Sequence, residues 1–195
     1  MKQLLIPKLY HSNNLIFSYN FSDKVLETFT RQELFEADFV SKTHFSQYPY
    51  LLGIKNNYYF YSIEKSLFLF SNAVRFLKNI NLKTDVNFVF AGSPKDQEKK
   101  VAEYFDYFNF KCQFFPNELW YPGYISKKAL NKNSVLVIYN INLNSTAIRE
   151  AVCRKIPVVG FATPSCDIRG VDYPILLNFK KIPIIYIKIL TSILK

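Results

Sequence analysis

The spacing of apolar residues changes along the chain, and each change marks an element. Val135-Leu136-Val137-Ile138-Tyr139 is an uncharged, β-branched run, the pattern of a strand covered on both faces. A polar turn follows, in which Asn142, Asn144 and Ser145 can cap a helix by accepting its free N–H groups. The helix then sets Ala147, Ile148, Ala151 and Val152 on one stripe, with Arg154 and Lys155 at its negative C-terminal end. Pro157 opens a second strand, Val158 to Ala162, and a third short apolar run spans Tyr173 to Leu177. Strand, helix, strand in about thirty residues predicts a right-handed βαβ unit with parallel strands.

Upstream, Ile63, Leu67, Phe70, Val74 and Leu77 recur at spacings of four and three, predicting a helix of about five turns with one buried stripe. Before it, Leu51 to Tyr61 predicts a hairpin. Gly53-Ile54-Lys55-Asn56-Asn57 is read as its turn, and Tyr58, Phe60 and Ser62 alternate with Tyr59 and Tyr61. Asn87 to Gly92 reads as a buried strand. Ser93-Pro94 then opens a helix with Asp96 and Glu98 in its first turn and Val101, Phe105 and Phe108 facing inward. Cys112 to Phe115 is the next strand. Thr30-Arg31-Gln32-Glu33 has the capping-box pattern and predicts a short helix with Leu34, Phe35 and Ala37 on its apolar face. Lys180-Lys181-Ile182-Pro183 starts a final helix, apolar nearly all round and therefore covered by the sheet or by a neighbouring chain. Residues 1–29 read as an irregular N-terminal arm and residues 30–195 as a single α/β domain. Strand–helix alternation from Val86 to Leu177 implies three α/β/α layers around a mainly parallel sheet, with a small peripheral β-hairpin near residues 50–62.

Charge adds a partner to this picture. The net charge is +10, and residues 111–195 hold 12 Lys or Arg against 4 Asp or Glu. A concentrated positive excess favours a polyanion. Lys outnumbers Arg 20 to 5, and the chain is rich in Phe (19) and Tyr (14). Arg is the better phosphate fork, so this bias points to an AT-rich genome, that of an organelle or equally of an AT-rich bacterium or nucleus. Cys112, Cys153 and Cys166 form no C-x-x-C pair, and His11 and His44 are the only histidines; no metal site, cofactor or disulfide framework is expected. The stretch from Ile182 to Leu194 is too short to span a bilayer, so no membrane association is expected. The first twenty residues lack Arg and show no apolar segment with a cleavage site; the absence of an import signal fits a protein made inside the organelle.

A family resemblance is carried by the residues from Ser134 to Asn178. Ile148-Arg149-Glu150-Ala151 is similar to an I-x-x-E-A motif, and Lys155-Ile156-Pro157-Val158-Val159-Gly160 to a G-I-P-V strand. Cys166-Asp167 stands where a T-x-x-D loop occurs, and Val171-Asp172-Tyr173-Pro174-Ile175 with Asn178 matches V-D-Y-P-I-x-x-N. Together these resemble the last third of the universal small-subunit ribosomal protein two, the S-two family of bacterial ribosomes. Ser62-Ile63-Glu64-Lys65-Ser66-Leu67 and the Trp120…Gly123 loop extend the likeness upstream, to roughly residues 30–194. The family's G-x-H-x-G-H loop, which lies on ribosomal RNA, corresponds here to residues 37–50 without its glycines. Its long helical hairpin is replaced by residues 127–133, too few for two helices.

The resemblance implies a flavodoxin-like strand order and a structural, non-enzymatic constituent of the small ribosomal subunit. It further implies binding to small-subunit ribosomal RNA and neighbouring ribosomal proteins, with no small-molecule substrate; the composition bias and the absent import signal then lead to the expectation of a mitochondrial ribosome of the matrix. Candidate RNA-binding residues are Lys42, His44, Lys55, Trp120, Lys127, Lys128, Arg149, Arg154, Arg169, Lys180 and Lys181. Aromatic rings beside Lys42 can stack on sugars or bases. Two other classes remain open: an α/β enzyme using the strand ends near Gly92, Asn140 and Thr163 as a pocket, and a free RNA-binding or signalling module.

Overall fold

A computed structural model describes residues 36–81, 86–93, 99, 102–103, 111–116, 120–127 and 134–176. The expected arm, the capping box at Thr30–Glu33, the first turn at Pro94–Glu98, its inward residues Val101, Phe105 and Phe108, and the final helix lie outside these residues.

A small antiparallel sheet comes first, from β1 (Glu36–Phe39), β2 (Leu51–Lys55) and β3 (Tyr58–Tyr61), in the order β1-β3-β2. The hairpin is as expected but its turn is tighter. Asn56 and Asn57 alone make it, with φ of 50° and 64°, the left-handed pair that a two-residue turn between right-twisted strands requires. Gly53 to Lys55 are strand, not turn. The helix expected to bury Ala37 is corrected as well, because Glu36–Phe39 pairs with β3 as a strand. Backbone pairing outweighs the local helix signal there.

Helix α1 (Ile63–Asn81) then leads into the main sheet of β4 (Asn87–Ser93), β5 (Lys111–Pro116), β6 (Ser134–Ile138), β7 (Val158–Ala162) and β8 (Tyr173–Leu176). Lys99, Ala102 and Glu103, between β4 and β5, are helical. The strand order is β5-β4-β6-β7-β8, with every pairing parallel. Counted from β4 this is 2-1-3-4-5, the flavodoxin-like order. Two short elements complete the set, α2 (Tyr124–Lys127) and α3 (Ser145–Arg154).

The two-residue period of a strand divides the core cleanly. Phe88, Phe90, Val135, Val137, Val159, Phe161 and Ile175 point to one face, where Leu67, Ala73 and Leu77 of α1 cover them. Val89, Ala91, Leu136, Ile138, Val158, Ala162 and Leu176 point to the other, under Ala147, Ile148 and Ala151 of α3 and Ile125 of α2. β4, β6 and β7 are buried on both faces, which is why they read as uninterrupted apolar runs. Ile63 and Val152 were expected on buried stripes but are exposed; each stripe is narrower than its sequence suggests.

Gly160 sits mid-strand because Ile141 leans on it. A Cβ there would meet Ile141 Cδ1 at 3.0 Å and Val171 Cγ1 at 3.2 Å. The capping expectation is also corrected. Asn144 occupies the N-cap of α3 but makes no side-chain cap; its amide instead donates to Asn140 O at 2.9 Å. At the other end Lys155 adopts a left-handed conformation (φ 56°), and its N–H meets the carbonyls of Ala151 and Val152. It ends the helix in the manner usual for glycine.

Candidate nucleic-acid interface

In a parallel sheet the loops after the strands gather at one edge. Here that edge includes residues 139–144 after β6 and 163–170 after β7. The segment from Phe39 to Tyr50 lies across it, made of two short 3-10 turns, Val40–Lys42 and Phe45–Tyr50.

Gln47 clamps that segment to the sheet. It is fully buried, and its amide donates to Thr163 O at 2.6 Å and Cys166 O at 2.8 Å. Its carbonyl accepts the hydroxyl proton of buried Tyr61. Two further bonds support it: His44 N donates to Pro164 O at 2.9 Å, and Ile168 N donates to Ser46 Oγ at 3.2 Å. Sequence reading passed over Gln47, a single amide inside an aromatic-rich string whose partners lie 116 and 119 residues away.

The clamped segment meets the 163–170 loop in a patch of cations and rings. Arg169 forms a forked pair with Asp167, Nε to Oδ1 at 2.9 Å and Nη2 to Oδ2 at 2.5 Å. These hydrogen bonds hold the Asp167 carboxyl down to about 2 and push the Arg169 guanidinium further up. The guanidinium also stands 5.0 Å from the centre of the Phe45 ring, a cation–π distance. His44 packs on Phe45 at 4.4 Å and directs Nδ1 to Ser46 Oγ at 2.9 Å, with Asp167 at 3.9 Å. Lys42 stands 5.8 Å from the Phe39 ring. Beside Arg169 a cleft of about 140 Å³ is lined by Ile141, Asn142, Ser145, Ile148, Arg149 and Asp167.

Of the expected RNA-binding residues, the fold brings together His44, Arg149 and Arg169, with Lys42 on the same clamped segment. Lys55 ends β2 at the hairpin turn, and Arg154 ends α3 at the far end of that helix. Trp120 is half-buried, edge-on to Phe115 at 5.4 Å and Tyr124 at 5.7 Å. Its Nε1 is buried without an acceptor among the described residues. Lys127 ends α2; Lys128, Lys180 and Lys181 lie outside the described residues.

The strand ends considered for an enzyme have other occupations. Asn140 Oδ1 accepts from Asn142 N at 3.1 Å, and Thr163 Oγ1 lies 2.9 Å from Cys166 Sγ. Asp167 and Asp172 do not face each other: Asp167 holds Arg169, while Asp172 Oδ2 accepts from Val158 N at 2.9 Å. Among the described residues no helix is long and apolar enough to cross a membrane.

Comparison with protein families gives a match. Residues 126–195 fit the family model of ribosomal protein S2. The resemblance to S2 holds. It spans β6, α3, β7 and β8, the stretch whose motifs carried it, and the 2-1-3-4-5 order agrees with the fold it implied. The match begins at residue 126, so the likeness of Ser62–Leu67 and of the Trp120…Gly123 loop stands on their motifs alone. S2 is a structural family rather than an enzymatic one, and the match supports a structural role in the small ribosomal subunit. No curated protein matches the chain.

Proposed function

We propose that the chain is a structural protein of a mitochondrial small ribosomal subunit, held against ribosomal RNA and neighbouring ribosomal proteins. The observation that carries this is the S2 match over residues 126–195. The net charge of +10 supports it, since cations neutralise backbone phosphates and contribute affinity without reading sequence. Lys-rich, Arg-poor composition supports the organellar assignment. Phosphate contacts are assigned to Lys42, Lys55, Lys127, Lys128, Arg149, Arg154, Arg169, Lys180 and Lys181.

Sedimentation of tagged chain in mitochondrial lysate tests the reading. The chain should travel with the small subunit at low salt and be stripped at high salt. A chain that stays at the top of the gradient at every salt concentration overturns it.

A further inference from the structure

We propose that Phe45, Arg169 and Arg149 form a seat for one unpaired nucleotide of RNA, its base stacked on the Phe45 ring and its phosphate facing Arg149. The inference rests on the reading above and specifies how one part of the surface meets its partner.

Phe45 is 57% exposed, although burying a ring is favourable. Flexibility does not account for the exposure. The residues on either side of Phe45 are tied down, His44 N to Pro164 O and Ser46 Oγ to Ile168 N, and the buried Gln47 clamp follows directly. The ring is thus held outward on a fixed turn, with its ordering cost met before any ligand arrives. Arg169 lies 5.0 Å from the ring centre and is itself oriented by the Asp167 fork. An aromatic ring beside a fixed guanidinium suits the π-face of a base.

The neighbouring cleft supplies the complementary half. Arg169 belongs to its wall as well, so ring and cleft adjoin. Ile141 and Ile148 give it an apolar floor, and Asn142 and Ser145 a polar edge. Arg149, exposed on its rim, has no acidic partner among the described residues. With Asp167 set against Arg169, and Lys42 on the same clamped segment, the local balance is positive. An anion is favoured over an apolar protein surface.

A duplex keeps its bases stacked inside and cannot offer one to the ring, so a single strand is the fitting partner. The test compares a single-stranded RNA of about ten nucleotides with a duplex of the same sequence, each titrated with the purified full chain. Phe45→Ala should weaken single-strand binding about 5- to 100-fold, leave duplex binding unchanged, and leave the melting temperature intact. Phe45→Tyr should restore single-strand binding. Arg149→Gln should lower the salt slope by about one. In assembled small subunits, ultraviolet cross-linking should place a nucleotide adduct on the peptide containing Phe45. Unchanged single-strand affinity in Phe45→Ala, equal weakening of both RNAs, or a cross-link from Phe45 to a protein overturns the seat. Each of those results leaves the chain in the small-subunit fractions; absence from those fractions counts against the ribosomal reading instead.

Discussion

The carboxylate of Glu150, on α3, accepts the amide protons of Gly123 at 2.5 Å and Ile125 at 3.1 Å. One side chain thereby satisfies the free N–H groups at the start of α2, where a negative charge is favoured. Gly123 has φ 88°, so the turn that offers its amide is one other residues enter at a cost. The Glu of the I-x-x-E-A motif is therefore the fastening of the Trp120 loop.

Glu150→Ala should remove both acceptors at once. Hydrogen bonds to a charged group contribute about 1.5–3 kcal/mol each, so a loss of about 3–6 kcal/mol in urea unfolding is expected, with a change in Trp120 fluorescence as its ring contacts loosen. Glu150→Gln keeps one acceptor oxygen and should lose roughly half as much. A Glu150→Ala variant with unchanged emission and midpoint would show that the loop is held by something else.

Gln47→Leu keeps the volume and removes the clamp. The carbonyl of Cys166 and the hydroxyl of Tyr61 lose the Gln47 amide, and the carbonyl of Thr163 keeps only the N–H of Cys166 at 3.0 Å; a buried group left unsatisfied costs about 1–3 kcal/mol. Proteolysis within residues 39–50 should accelerate before global unfolding, which limited digestion measures. Equal cleavage of variant and parent rules the clamp out.

Lys155→Gly should stabilise the chain. A left-handed conformation costs a residue with a Cβ about 1–2 kcal/mol, partly offset by the greater freedom of glycine in the unfolded chain. A net gain of about 0.5–1 kcal/mol corresponds to roughly 1–4 °C in Tm. Calorimetry decides it, and a lower Tm contradicts the account.

Acid should release the Asp167–Arg169 fork. Asp167 is held down to about 2 in the folded chain, against an unfolded carboxyl near 3.9. A depressed folded value means that the contribution is complete above about 4 and is lost as pH falls towards about 2. Between those limits Asp167→Asn should flatten the pH dependence of stability, and above pH 5 the difference between the two proteins should be constant. Parallel curves across the acid range would remove the fork from the stability of the loop.

Thiol labelling reads the same loop from inside. Burial pushes the Cys166 thiol up and shields it, whereas Cys153 is exposed on α3. Iodoacetamide at neutral pH should modify Cys153 first and reach Cys166 only in denaturant. Mass spectrometry showing prompt Cys166 alkylation would mean that the 163–168 turn opens readily.

The main sheet was legible because its inner strands are buried on both faces. β4, β6 and β7 carry no charged residue, and no helix of that length could be uniformly apolar without neighbours on every side. Short pieces misled where two local signals competed. Gly53 drew the hairpin turn away from Asn56-Asn57, and a capping-box pattern drew Ala37 towards helix until pairing with β3 took it. The edge patch was half legible. Arg149 and Arg169 could be named as cations, but their adjacency depends on the 163–170 loop returning over α3. Gln47 and the partners of Glu150 were out of reach, because a hydrogen bond across the fold leaves no periodic trace.

The placement of β4 next to β6 also governs when the domain can form during synthesis. Phe88 to Ala91 pair on one side with Cys112 to Phe115 and on the other with Val135 to Ile138. A nascent chain halted at residue 133 would therefore carry its central strand with one flank bare, a sticky intermediate of the sort chaperones hold. The seam closes only when the C-terminal third emerges, so premature stops upstream of Ser134 should yield insoluble fragments rather than half-built domains.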